Sequence, residues 1–154
     1  MLLLRGLLVS AALIIEMTSS EMENPCPRDW VQATFVEMGC LYFESTEKFT
    51  WDQAAAYCQT MQNATLVEIY SEEQFDFVQM MTDGLYDTWW TGGTDAGREG
   101  DWVWIRSLQS LPEWCRTCRG GGTGSNCMSL LAQRDGFYSQ DCNIPFKPIC
   151  QKSF

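Results

Sequence analysis

Histidine is absent from this 154-residue chain. That absence removes Ser–His and Cys–His nucleophile pairs, the usual zinc sets and the commonest general base. Positive charge is scarce as well. Ten Lys and Arg stand against 20 Asp and Glu, a net charge of −10, which argues against a nucleic-acid partner. Long apolar runs are missing too. The longest, Gly6 to Ile15, falls short of the roughly 20 residues a membrane span needs. There is no internal repeat and no low-complexity linker, so the length reads as one domain plus a leader.

What is present begins with that leader. Met1 to Ser20 carries one positive charge, Arg5, then the apolar run, then Thr18, Ser19 and Ser20. This is the layout of a secretory signal peptide, with cleavage expected near Ser20. The product, residues 21–154, is expected to be secreted and extracellular, with no membrane span. All eight cysteines lie in it. An even count in an exported domain reads as disulfides. Sequence alone does not assign them, because eight cysteines allow about 105 pairings.

Along the chain, Phe35 to Phe43 is apolar-rich and reads as a strand around Cys40. Thr50 with Gln53 forms a capping box, so a helix is expected from Trp51 to near Asn63. Ala54, Tyr57, Cys58 and Met61 would give it one apolar face. Thr65 to Ile69 alternates like a strand. Ser71 with Gln74 forms a second capping box, and Phe75, Val78 and Met81 mark the buried side of that helix. Asp83 and Gly84 break it. Strand signals return at Thr88 to Thr91, Trp102 to Arg106, Cys127 to Ala132, Gly136 to Ser139 and Phe146 to Cys150. Between Ser107 and Asn126 no periodicity appears, and a structureless loop of that length is usually functional. Two early helices and a β-rich second half predict an α+β domain.

The densest motif is WWTGGTDAGREGDWVW, Trp89 to Trp104. No catalytic chemistry needs this pattern. It reads as packing, two aromatic strands about a polar turn, and no enzyme activity is expected. Cys115 and Cys118 have the Cys-x-x-Cys spacing of redox sites. They sit in the loop rather than at a helix start, so a small Cys115–Cys118 disulfide that stiffens the loop is the better reading.

CPRDW, WDQAAAYC, NATLVEI with SEEQF, WWTGGTD with EGDWVW, and CMSLL, DC and PIC occur in this order. Together they resemble the C-type lectin-like domain family over nearly all of Cys26 to Cys150. The resemblance implies a C-type lectin-like fold: two helices packed on small antiparallel sheets, a long irregular loop and disulfide staples. It implies the pairs Cys26–Cys40, Cys58–Cys150 and Cys127–Cys142. Closing Cys58 to Cys150 should stabilise by roughly 4 kcal/mol, and Cys127 to Cys142 by about 3 kcal/mol. GGGTGSNC, Gly120 to Cys127, resembles a shortened loop of invertebrate members, some of which are regarded as innate immune pattern-recognition lectins.

Sugar-binding members use a calcium ion held by Glu-Pro-Asn or Gln-Pro-Asp in the loop and by Trp-Asn-Asp beyond it. Here the loop offers Leu111-Pro112-Glu113, and the second motif falls on Phe137-Tyr138-Ser139. Leu111 has no side-chain oxygen, and the second amide and carboxylate are gone. Calcium takes about six to eight oxygens, so the usual sugar site is expected to be lost and no cofactor is expected, with calcium left open only at a shifted site that would draw on Glu113, Gln140 or Asp141. Gln140 and Asp141 lie nearby but out of register. Asp95, Glu99 and Asp101 are expected to shape the turn before Trp102.

Charge is uneven. Glu21 to Ile105 holds 16 acids and 3 bases, whereas Arg106 to Phe154 holds 3 acids and 6 bases. Arg116 and Arg119 beside Trp114 suit an anionic glycan, by forked hydrogen bonds and ring stacking. The plainer reading packs Trp114 under the loop and leaves the arginines solvated or paired. The ligand candidates are Glu113, Trp114, Arg116, Arg119 and Asn126. Asn63-Ala64-Thr65 is a glycosylation sequon. The expected function is carbohydrate or pattern recognition without the usual calcium-dependent sugar site, calcium-independent or weakly calcium-assisted. The alternative is a protein–protein interaction module on the same fold, favoured by a flat apolar loop surface at Leu108, Leu111 and Trp114.

Overall fold

Thr50 and Ser71 cap the two helices. A computed structural model describes residues 24–115, 123–132 and 136–154. The expected leader, residues 1–20, lies outside them. Helix α1 (Trp51–Thr60) starts with the full capping box: Gln53 N donates to Thr50 Oγ1 at 3.4 Å, and Thr50 N donates to Gln53 Oε1 at 3.2 Å. It buries Trp51, Ala54 and Cys58 and stops at Thr60, because Gln62 and Asn63 turn left-handed, each with φ of 59°. Helix α2 (Glu72–Thr82) has only half of the expected box. Gln74 N donates to Ser71 Oγ at 3.2 Å. The Gln74 carboxamide instead accepts from Tyr70 N at 2.8 Å and donates to Glu37 Oε1 at 3.1 Å. Phe75, Val78 and Thr82 form its buried side, with Met81 only half-buried.

The strands are β1 (Val31–Gln32), β2 (Cys40–Phe43), β3 (Thr65–Leu66), β4 (Thr88–Thr94), β5 (Val103–Trp104), β6 (Cys127–Leu131), β7 (Phe137–Gln140) and β8 (Lys147–Lys152). The single strand expected over Phe35 to Phe43 is divided. Val36–Met38 form a 3₁₀ turn, and Gly39 at φ 62° reverses the chain into β2. A Cβ at Gly39 would lie 2.2 Å from the Lys152 carbonyl oxygen, so glycine alone fits.

The strand order is β1-β2-β8-β4-β6-β7, with β3 on β8 and β5 on β4. Pairings are antiparallel except β4 with β8, which run parallel at Trp89↔Lys147 and Trp90↔Pro148. Strand β4 is the hub because its two tryptophans point to opposite faces. Trp89 joins Phe75, Val78, Trp104, Leu130 and Phe137 in one buried cluster. Trp90 joins Trp51, Cys58, Leu66 and Cys150 in the other. Indole N–H groups stitch the second: Trp51 Nε1 donates to Thr91 O and Trp90 Nε1 to Phe49 O, both at 2.8 Å.

Cys26–Cys40, Cys58–Cys150 and Cys127–Cys142 are bonded, with Cα separations of 5.5, 5.4 and 5.1 Å, within the range disulfides tolerate. Cys115 is disulfide-bonded; Cys118, its expected partner, lies outside the described residues. Among the described residues no helix is long and apolar enough to cross a membrane.

Candidate ligand-binding loop

The expected structureless loop is ordered where it begins. Trp104 N donates to Gln109 O at 2.9 Å, Leu111 N to Trp102 O at 3.1 Å, and Val103 bridges Ser110. The chain therefore makes a hairpin whose turn is Ile105 to Leu108. Correspondingly, the strand expected over Trp102 to Arg106 shrinks to β5.

Glu68 holds that turn from below, a role the sequence did not indicate. Its side chain is fully buried, with 0 % exposure. Oε1 accepts from Arg106 N at 2.8 Å and Ser107 N at 3.1 Å. Oε2 accepts from the Tyr70 hydroxyl and meets Arg106 Nε at 3.5 Å. Tyr70 Oη also lies 2.8 Å from Ser107 Oγ. Burial, then the bond to Glu68, push the Tyr70 phenol above its ordinary range. The signal available in the sequence was an acid inside the apolar run Leu66 to Ile69. Its partners in the turn are 38 and 39 residues away, so no local pattern names them.

Beyond the hairpin, Leu111 turns inward, only 7 % exposed, and joins the cluster of Trp89, Trp104 and Phe137. Trp114 is half-buried, its ring centroid 5.8 Å from Phe75 and 5.9 Å from Phe137, and its Nε1 reaches the Tyr70 carbonyl at 3.5 Å. The flat apolar surface expected from Leu108, Leu111 and Trp114 therefore does not form, because two of the three are drawn into the core. Leu108 stays out, 72 % exposed at φ 57°, with Ile105 exposed beside it. Glu113 is exposed. Arg116 and Arg119 lie outside the described residues, as does Arg134. Arg106 meets Glu68, so that base is paired rather than free.

On the other side of the loop, Asn126 O accepts from Thr94 Oγ1 at 2.7 Å and from Asp95 N at 3.3 Å. Asp95 shapes its turn: Oδ2 accepts from Gly100 N at 2.8 Å, its carbonyl from Arg98 N at 3.0 Å, and Arg98 pairs with Asp101 at 3.2 Å. Asp95 Oδ1 and Asn126 Oδ1 are buried without a hydrogen-bond partner.

At the positions where the resemblance puts ligands of the sugar-bridging calcium, the described side chains offer few oxygens. Leu111 is apolar and packed inward. Phe137 is fully buried among aromatic rings, and Ser139 turns an unpartnered hydroxyl inside. The two orphan oxygens are a fraction of the six to eight a calcium ion takes. Among the described residues no group of three or more His, Cys, Asp or Glu converges on a possible ion.

The Lectin C-type domain family model matches residues 47–152. The CD209 antigen of Pongo pygmaeus is 30% identical over 134 residues, covering 84% of this chain and 31% of that protein. C-type lectin domain family 4 member M of Gorilla gorilla gorilla is 30% identical over 129 residues, covering 82% and 33%. The chain thus spans about a third of the length of these curated relatives. Among solved structures, the carbohydrate-recognition domain of the human scavenger receptor C-type lectin is 25% identical, with TM-score 0.69 and coverage of 84% and 99%. A calcium-independent type II antifreeze protein is 26% identical, with TM-score 0.67 and coverage of 83% and 94%. The chain belongs to the C-type lectin domain family, and its α+β, disulfide-stapled fold is that family's.

Proposed function

We propose that this chain is an exported lectin that binds carbohydrate without the sugar-bridging calcium ion, through the 103–126 hairpin and loop. The observation that carries this reading is the inward packing of Leu111, which puts an aliphatic core residue where an oxygen ligand would stand. The carbohydrate-recognition domain among its neighbours supports glycans as the ligand class, and the calcium-independent antifreeze neighbour supports use of the fold without the ion. Recognition then falls to the loop's own groups: Glu113, the half-buried Trp114, Asn126, and the guanidiniums of Arg116 and Arg119. Forked guanidinium bonds favour sulfated or carboxylated sugars. An array of neutral, sulfated and carboxylated glycans, probed with calcium and again with EDTA, tests the reading. Binding that survives EDTA and falls in Arg116→Ala plus Arg119→Ala supports it; binding lost in EDTA refutes calcium independence.

A protein ligand is the second reading, and one observation favours it. Ile105 and Leu108 are exposed aliphatics on a turn that buried Glu68 holds rigid. Silence of every glycan in both buffers would select this reading.

A further inference from the structure

The fold treats the two ends of the Asn63-Ala64-Thr65 sequon differently. Asn63 is exposed just beyond α1, in a left-handed turn with φ of 59°, so the finished domain leaves room for a large substituent there. Ala64 is 1 % exposed. The Thr65 hydroxyl is buried with no hydrogen-bond partner. Thr65 and Leu66 pair with Gln151 and Cys150 of β8, and the Cys58–Cys150 bond fastens that strand to α1.

An orphaned hydroxyl destabilises a buried site, whereas valine has the same shape without the polar atom. Packing therefore gives no reason for threonine at position 65; glycosyl transfer does, because the transferase must read this hydroxyl. Inside the closed fold the hydroxyl cannot be read. β8 begins at Lys147, 82 positions after Thr65. At about 5–20 residues per second, the sequon stays open for roughly 4–16 s of synthesis before β8 exists.

We propose that Asn63 carries an N-linked glycan and that it is added before β8 docks and Cys58–Cys150 closes, after which the sequon is sealed. In the transfer, Asn63 Nδ2 attacks the anomeric carbon of a lipid-pyrophosphate-linked oligosaccharide. The C–N bond forms, the C–O bond to the pyrophosphate breaks, Nδ2 gives up a proton, and the lipid pyrophosphate leaves with the bonding electrons. The donor resides in the secretory compartment, so the proposal rests on the reading that the chain is exported.

The test expresses the full chain with its own leader in eukaryotic secretory cells. Protein from the medium is mapped by peptide mass, with and without an amidase that converts glycosylated Asn to Asp. The expected result is a glycan at Asn63, kept in Thr65→Ser and lost in Thr65→Val, with the Thr65→Val unfolding midpoint equal or higher. In a second arm, unglycosylated chain with Asn63 intact, made by oxidative bacterial expression, is offered to microsomal transferase and donor. Native protein should take no glycan, and reduced, unfolded protein should take it. Secreted chain bare at Asn63 overturns the proposal, and equal transfer to native protein overturns the sealing. A chain that never leaves the cytosol is a distinct result, which overturns the export reading and this proposal with it.

Discussion

Glu68→Gln is the most informative single change, because it removes charge and one acceptor while keeping shape. The carboxylate accepts three hydrogen bonds, from Arg106 N and Ser107 N on one oxygen and from the Tyr70 hydroxyl on the other, and that second oxygen also meets the Arg106 guanidinium at 3.5 Å. A carboxamide can keep its oxygen on the two backbone N–H groups. Its NH₂ then faces Tyr70, whose hydroxyl can accept while donating to Ser107, and Arg106 Nε–H, which cannot accept. The Arg106 side chain is 36% exposed and can turn to water, so what is lost is charge-assisted bonding rather than a stranded ion. That loss is about 2 kcal/mol. Glu68→Ala also strands both backbone donors and should cost about 3–5 kcal/mol. Guanidinium unfolding with the disulfides intact reads the global term. Amide exchange at Arg106 and Ser107 reads the local one and should accelerate roughly 30-fold. A Glu68→Gln change below about 0.5 kcal/mol with unchanged exchange at both amides would refute the claim that Glu68 holds the turn.

Three further outcomes follow from the same structure. Burial raises the Glu44 pKa, but hydrogen bonds from Tyr57, Thr46 and Glu47 outweigh it and hold the carboxyl at about 2 against an ordinary 4.5. The depressed folded value means that about 3 kcal/mol of stability is present above pH 4.5 and is lost as pH falls toward 2; Glu44→Gln should flatten that acid limb in denaturation midpoints measured across it. Replacing both Cys58 and Cys150 by Ser should destabilise by roughly 4 kcal/mol and replacing both Cys127 and Cys142 by about 3, compared by thermal unfolding of the two double variants. In Gly93→Ala the new Cβ would lie 2.8 Å from Met128 Cβ, inside the central pair β4 and β6, and should cost about 1–3 kcal/mol in the same assay.

What could be read from the residues was what short-range chemistry dictates. Thr50 and Ser71 announced their helices because a cap acts over three residues. The Trp89-Trp90 pair was legible as packing because strand alternation sends neighbours to opposite faces. The split at Gly39 was not, since the carbonyl that forces it belongs to Lys152, at the far end of the chain. The missing half of the second capping box fails for a similar reason: the Gln74 carboxamide is held by Tyr70 and by Glu37 rather than by its own helix start.

The candidate site divides along the same line. Leu111 and Trp114 lie in a segment without periodicity, so an apolar residue there reads equally as surface or as core. The hairpin decides between them: once Leu111 N bonds to Trp102 O, its side chain falls beside Trp104, and Trp114 closes over Phe75 and Phe137. That packing has a functional consequence. Leu111 becomes part of the core, and the loop's base is fixed by a buried carboxylate accepting two consecutive backbone N–H groups. The loop therefore starts from a fixed turn, and in the proposed function recognition falls to the polar residues that follow it.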